Sequence, residues 1–545
     1  MEEMRTGLSK DLIARVLGGA PKWTIAELEE KYPPRDLGRQ GLGPAEQGRM
    51  VTRFGPSPTG MFHTGNLYPT IVSKKLAQQS GGVFYLRIED TDTKREVPGA
   101  VDVVVSSLAK FGLNVDEGMV GDNKEVGEYG PYTQSARKDI YNAVAAELLA
   151  TGRAYPCFLS PEEMDEIRGM QSAKGLPTGI YGSFARDRDL SEDDILARLD
   201  AGKAPSIRLY STGDPSRRIF CKEGIRGSMA LPENNDDIVV IKSGDGLPTY
   251  HFAMLCDDHF MRTTHIVRDA SYLSSLSLHV QMFNMMGWAP PVFIHNSTID
   301  ILDAETGNRR KLSKRKDRMA AVANLWADGW APEPVLEYVF NLIVSGYEDA
   351  KTKNAGLTIW EYPVNIKKLP ASGALFDIKK LEWWAKEFIA GLDESKYEIT
   401  DRVMEWAKEY SPEWYARIKD NREYLHRVLD IERDNPKRIR KDFVTWKQTL
   451  EEVAYFFDDL FVKSDAEINK DVLRGFLSPY DSKDLKDLWW EKIVAIAEKL
   501  GLKNGDVAMA LRIALTGREN APDLYSVMQV MGEERVRERI EACLK

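Results

Sequence analysis

Cysteine and histidine are scarce in this 545-residue sequence, with four and seven copies. Cys157, Cys221, Cys256 and Cys543 show no paired spacing, which excludes a disulfide framework and fits a reducing compartment. No apolar run approaches the roughly 20 residues of a membrane-spanning helix. The acidic start Met1-Glu2-Glu3 does not resemble a secretory signal, so a cytoplasmic location is expected. Internal repeats and low-complexity tracts are missing too. Positive charge is not in excess: 74 Lys and Arg against 84 Asp and Glu give a net charge of −10. That disfavours indiscriminate nucleic-acid binding but leaves room for a basic groove on an acidic body. What remains is the composition of an ordinary soluble protein, 43% hydrophobic and 29% charged. The length exceeds one core and suggests roughly three to five modules.

Two short runs, far apart, carry the chemistry. The first is Arg53-Phe54-Gly55-Pro56-Ser57-Pro58-Thr59-Gly60-Met61-Phe62-His63-Thr64-Gly65-Asn66, which ends in an H-x-G element. The second is Lys311-Leu312-Ser313-Lys314-Arg315, inside a segment, Arg309 to Arg318, with seven basic residues and one Asp. Met50 to Phe54 reads as a strand, and the prolines of the next loop forbid helix. Apolar spacing at Leu67, Ile71, Val72, Leu76 and Ala77 predicts a helix from Thr64 to Gln79. Val83 to Ile88 is a compact run suited to a buried parallel strand. This βαβ unit puts His63 and Gly65 at a helix N-terminus, where free N–H groups and the dipole favour phosphate. His63 can donate to an α-phosphate in a charged transition state, and Gly65 lets the nucleotide approach without a Cβ in the way. Glu89, Asp90 and Asp92 fall at the carboxyl end of the next strand, where doubly wound folds bind ligands. Lys311 and Lys314 supply positive charge for a departing pyrophosphate. Either motif alone is weak; in this order and context they point to adenylate-forming chemistry on an amino acid.

On these residues the chain resembles the class I aminoacyl-tRNA synthetases, and within them the bacterial-type glutamyl-tRNA synthetases. Arg53 to Gly60 looks like that family's R-F-x-P-S-P-T-G opening, His63 to Asn66 its HIGH motif, and Lys311 to Arg315 its KMSKS motif. The runs Leu86 to Asp92, Gly127 to Tyr132, Thr249 to Phe252, Asp257-Asp258-His259 and Ser372 to Asp377 are also similar to it. Asn66 stands in place of the second His of HIGH, and Arg315 in place of the last Ser of KMSKS. Some relatives hold zinc through Y-x-C-x-C, but Tyr155 to Leu159 has one Cys where two are needed. A closed site needs four N or S ligands, so no structural zinc is expected.

The resemblance implies activation of L-glutamate by ATP, with Mg²⁺ on the phosphates, and transfer to the end of tRNA(Glu), giving AMP and pyrophosphate in protein biosynthesis. His63, Lys311 and Lys314 would be catalytic. Gly60, His63, Thr64, Gly65, Asn66, Lys311, Ser313 and Lys314 would bind ATP. Glutamate carries two carboxylates and one ammonium, so a selective pocket needs fixed cations and an anion. By motif position Arg53 and Arg268 resemble the two substrate arginines, with Arg268 facing the side-chain carboxylate. Glu89 would take the ammonium, while Ser57 and Tyr250 add hydrogen bonds. A guanidinium fork matches carboxylate and stays charged. A monomer is expected, with tRNA(Gln) left open as a second acceptor. The rivals are a glutaminyl enzyme, disfavoured by Arg268 and the helical C-terminal third, and a short paralogue that glutamylates a modified tRNA base, for which this chain is too long. A small-cofactor nucleotidyltransferase would not need the Glu89 strand or a long helical tail. A non-catalytic RNA-binding paralogue is disfavoured by intact His63, Lys311 and Lys314.

The expected fold is α/β: a Rossmann-like parallel-sheet catalytic domain with an α+β insertion, then an all-α anticodon-binding region. Residues 1–49 read as an extension, 50–137 as the first catalytic half and 138–250 as an insertion for the acceptor end of tRNA. The second half would span 251–290, a stem-contact region with the Lys311 loop 291–370, and the helical region 371–545. Val239 to Met254 is expected to return to the catalytic sheet. In the last region Arg433 to Lys447 interleaves Lys437, Arg438, Arg440 and Lys441 with Phe443 and Trp446, although tryptophans at helical spacing are more often core than platforms for bases.

Overall fold

The computed structural model describes residues 6–35, 48–60, 62–303, 305–313, 316–435 and 439–545. The chain divides into two compact units, residues 1–322 with 339–376, and residues 323–338 with 377–545.

Two four-stranded sheets form the heart of the first unit. One orders Val51–Phe54, Val83–Leu86, Glu117–Gly121 and Lys124–Val126, the first three parallel and the last antiparallel. The other orders His265–Asp269, Val292–Asn296, Arg218–Glu223 and Gly227–Pro232, again parallel until the last pair. They meet where Thr264 donates its backbone N–H to the Val51 carbonyl and its hydroxyl accepts from Val51 N–H. From this seam the chain steps outward in opposite directions, which leaves a crevice at the carboxyl ends of Val51–Phe54 and His265–Asp269. Every residue of Val51–Phe54 is buried, with Arg53 ion-paired to Asp258 and the Thr52 hydroxyl donating to the Ser73 carbonyl. The helix Thr64–Ser80 follows it and ends at Gly81, whose φ of 66° closes the turn.

The hairpin of Arg218–Glu223 and Gly227–Pro232 lies inside the segment read as an insertion, yet pairs with the second sheet. Conversely Val239–Ile241 does not return to a catalytic sheet. It pairs with Ser206–Leu209, which pairs with Ala154–Cys157, in a separate antiparallel sheet. Asp237 explains this: it accepts from Arg188, the Tyr155 hydroxyl and Ser211 N–H, pinning the strand's start to the insertion. The extension packs on the catalytic unit through Arg35 on Glu117 (2.6 and 2.8 Å) and Glu29 on His259 (2.6 Å).

The second unit is helical, from Ile378–Ala390 to Glu533–Leu544. Its core takes in Trp406, Phe443, Trp446 and Trp489, so Phe443 and Trp446 serve packing and are not platforms for bases. Lys437 and Arg438 lie outside the described residues. Among the described residues no helix is long and apolar enough to cross a membrane.

Candidate active site

A cavity of about 540 Å³ opens at the crevice between the two sheets. Arg53, Ser57, Glu89, Tyr250 and Arg268, from four separate segments, all line it, as do Gly60, His63, Gly65, Asn66 and Lys311. Thr64 and Ser313 are not in its lining. The Thr64 hydroxyl instead donates to the Met319 carbonyl at 2.7 Å, and Ser313 N–H donates to Asp317. Lys314 lies outside the described residues, as does Arg315.

On the first-sheet side the charges are compensated. Arg53 donates through Nε and Nη2 to both oxygens of Asp258, each at 3.0 Å. Arg87 donates to the same Asp258 at 2.9 Å and to Glu89 at 2.8 Å, and Arg137 to Asp257 at 2.6 Å. Three buried cations thus face three carboxylates. Burial works against the Arg53 charge, but Asp258 outweighs it and holds the guanidinium above its ordinary range. Asp258 is burdened by the same burial, yet Arg53 and Arg87 pull it well below the usual carboxylate range. Glu89 goes the other way, raised by burial despite Arg87 and Arg53. Gly55 is required here because a Cβ would sit 2.3 Å from a Glu89 oxygen.

Arg268, on the second-sheet side, is different. It is 5% exposed, and among the described residues no carboxylate lies within ion-pair distance. Nε donates to His295 Nε2 and Nη2 to His279 Nδ1, both at 3.0 Å. Nη1 is buried and makes no hydrogen bond. The Phe293 and Tyr272 rings lie 4.9 and 5.4 Å from the guanidinium carbon. Burial lowers the Arg268 pKa, without a carboxylate contact to reverse it. A buried cation of this kind is costly until an anion joins it.

At the nucleotide end, His63 caps the helix Thr64–Ser80: its Nδ1 accepts from Gly65 N–H at 2.7 Å. The neutral ring therefore carries its proton on Nε2. Asn66 N–H is taken by the His63 carbonyl. These two N–H groups are thus used within the chain, contrary to the expectation of free donors, and the helix offers its dipole more than its amides. A Cβ on Gly65 would lie 2.7 Å from His63 Nδ1, so glycine there also preserves the cap. Gly60 has φ of 89°, a conformation that favours glycine. Across the cavity, Lys311 ends the strand Arg309–Lys311 and pairs with Asp269 at 3.0 Å. Burial would raise the Asp269 carboxyl, but Ser271 and Lys311 hold it below its usual value. Asp317 accepts from Arg310 and from Ser313 N–H, fastening the base of the loop.

Residues 49–383 match the catalytic domain of the tRNA synthetases class I (E and Q), and residues 398–544 match an anticodon binding domain. The chain belongs to the class I tRNA synthetases (E and Q). A glutamate–tRNA ligase of Clostridium perfringens is 42% identical, with 94% of this chain and 96% of that protein covered. One from Sorangium cellulosum is 37% identical over the same shares, 94% and 96%. A crystal structure of a glutamate tRNA ligase from Elizabethkingia meningosepticum, in complex with its amino acid, is 27% identical. It superposes with a TM-score of 0.70, covering 91% of this chain and 99% of that one.

Within this class I synthetase, the sequence reading missed the partners of its arginines. Asp258 was visible in the run Asp257-Asp258-His259, but a double acid beside Cys256 carries no sign that it pairs with Arg53 across 205 residues. His279 and His295 lie in apolar stretches without a motif. The one available signal was scarcity: with seven histidines in the chain, two meeting at Arg268 and a third, His251, behind one of them is a concentration, visible once the fold is known.

Proposed function

We propose that this chain is a glutamate–tRNA ligase that activates L-glutamate with ATP and transfers it to tRNA(Glu). The observation that carries the reading is Arg268, a buried guanidinium with Nη1 unbonded in the wall of the cavity. It suits the side-chain carboxylate of glutamate. Glutamine would leave it facing a neutral amide, at a cost that disfavours the glutaminyl reading. Arg53 and Tyr250 flank the carboxylate, Ser57 adds a hydrogen bond, and Glu89 takes the α-ammonium.

The α-carboxylate oxygen attacks the α-phosphorus of ATP, the bond to the bridging oxygen breaks, and pyrophosphate departs with that electron pair. Gly60, Gly65 and Asn66 shape the ATP site, and Thr64 and Ser313, set back from its lining, fasten the segments behind it. His63, through Nε2–H, together with Lys311 and Lys314, stabilises charge on the phosphates, to which Mg²⁺ is bound. Then a terminal ribose hydroxyl of tRNA attacks the adenylate carbonyl, AMP leaves, and the hydroxyl proton passes to the phosphate or solvent. Catalysis is positioning and charge stabilisation, with no covalent enzyme intermediate. The protein acts as a monomer in the cytoplasm.

The test is exchange of labelled pyrophosphate into ATP, with glutamate or glutamine, with and without tRNA. Exchange with glutamate alone, dependent on tRNA, is expected. No exchange from folded protein with purified tRNA(Glu) would overturn the reading in favour of a non-catalytic RNA-binding paralogue. Charging of separate tRNA(Glu) and tRNA(Gln) then defines the acceptor range.

A further inference from the structure

Four imidazole nitrogens around Arg268 have their roles dictated by one fact: a guanidinium only donates. His279 Nδ1 accepts from Nη2 and His295 Nε2 accepts from Nε, both at 3.0 Å. Neither nitrogen can then hold a proton. In a neutral ring the proton of His279 sits on Nε2, which lies 2.8 Å from His251 Nδ1 and donates to it. That of His295 sits on Nδ1, buried 3.4 Å from Glu223 Oε1 without a hydrogen bond to it. Glu223 is itself fixed by the N–H groups of His295, Ile225 and Arg226. His279 and His295 are both fully buried.

We propose that His279 and His295 are positioning residues that, as neutral acceptors, orient Arg268 while leaving its charge uncompensated for the substrate carboxylate. This rests on the reading of Arg268 as the glutamate-binding arginine. A carboxylate in either place would orient the guanidinium equally well but neutralise it, as Asp258 does for Arg53. A leucine would leave the charge but not the direction. Imidazole does both; the His279 ring is held from behind by His251, and His295 is fixed by its backbone N–H on Glu223.

The charged and titratable groups facing His279 are Arg268, His251, His295, Tyr250 and the more distant Asp258. Those facing His295 are Arg268, Glu223 and Arg226. Burial first, then the Arg268 charge, lowers His251 and His279 below the usual imidazole range. His295 is lowered by burial and Arg268 against the pull of Glu223. Acid therefore adds a second cation beside the arginine and weakens its orientation.

Two measurements test this. In the intact protein, ¹⁵N spectra of labelled histidine at pH 7, assigned by substitution, should show His279 protonated on Nε2 and His295 on Nδ1. An imidazolium or the reverse tautomer at either position overturns the proposal, and the readout needs no activity, so it stands apart from failure of the ligase reading. In exchange assays, His279→Leu and His295→Leu should raise the glutamate KM about tenfold or more, the scale of one hydrogen bond to a charged group. The ATP KM should stay within about twofold. His279→Asn and His295→Gln return an acceptor oxygen near the lost nitrogen and should recover most of the loss. If the amides are no better than leucine, or ATP and glutamate KM rise together, the residues are merely structural. Should the leucine variants fail to fold, the pH profile decides. The glutamate KM of the unsubstituted protein should stay flat through the usual imidazole range, about 6.5, and rise only below it, where the lowered His279 and His295 take up protons. H279N/H295Q should remove that part and leave the rise set by the substrate's own carboxyl, about 4.3. Identical profiles would overturn the proposal.

Discussion

The two arginines of the cavity are equally buried, each 5% exposed, yet stand in opposite electrostatic settings. Arg53 sits in a lattice of three cations and three carboxylates, its fork matched by Asp258. Arg268, on the facing strand, has neutral ring nitrogens, aromatic faces and the Tyr250 side chain about it, and among the described residues no carboxylate. The first arrangement is complete before any ligand arrives, so it builds the floor of the site. The second is incomplete and stores its attraction for an anion. Burial alone did not separate these roles; the identity of the hydrogen-bond acceptor did.

The comparison is broken most severely at Arg268. Arg268→Leu should lower kcat/KM for glutamate by about a hundredfold or more, the scale of a lost buried charge pair in a complex. Thermal stability should be unchanged or slightly raised, because an uncompensated buried cation is removed. Pyrophosphate exchange and a melting curve read the two effects. Asp258→Asn should do the reverse, destabilising the fold by about 3–5 kcal/mol by leaving Arg53 and Arg87 short of an anion. A denaturant titration measures this. If Arg268→Leu melted as early as Asp258→Asn, the distinction between floor and ligand site would be lost.

Much of this site was legible from the sequence because its pieces are local. The strand–loop–helix around Gly60 and His63 was predicted nearly to its ends, and the parallel pairing of Val51–Phe54 with Val83–Leu86 followed from the βαβ unit and the compact apolar run that starts at Val83. Arg268 was found through its motif position. What stayed hidden was long-range: Asp258 beneath Arg53, His295 beside Arg268, and the hairpin Arg218–Glu223 and Gly227–Pro232 joining the second sheet. Val239–Ile241 was misassigned because its apolar run fits either sheet, and the anchor that decides, Asp237, works through contacts distant in sequence.

A smaller effect separates the two sides by pH. His265 begins the strand that carries Arg268, and burial alone pushes its imidazole down to about 4. The unfolded chain titrates it near 6.5. Between these values the unfolded state binds the extra proton, so stability is full above about pH 6.5 and falls as pH drops toward 4. The loss for this group is about 2–3 kcal/mol. Asp258, held far lower by Arg53 and Arg87, keeps its contribution across that window. His265→Gln should therefore flatten the acid limb of the stability profile between about pH 6.5 and 4, measured by denaturant melts at each pH. An unchanged slope would assign that limb to other groups.

The smallest expected effect concerns Asp269, one residue beyond Arg268. Its carboxylate holds Lys311 at 3.0 Å, with the lysine side chain 55% exposed, so the pair is worth under about 1 kcal/mol. It is also the one carboxylate contact made by Lys311 among the described residues, and ATP phosphates compete with it for the same cation. Asp269→Asn keeps an oxygen to accept from Ser271 N–H but releases the lysine. The ATP KM should fall about two- to threefold at low ionic strength, and the gain should shrink as salt screens the pair. The glutamate KM should not move, because Arg268 keeps its imidazole acceptors. A rise in ATP KM would instead mean that Asp269 holds Lys311 where the phosphates need it, making the pair part of the finished site, like Arg53 with Asp258.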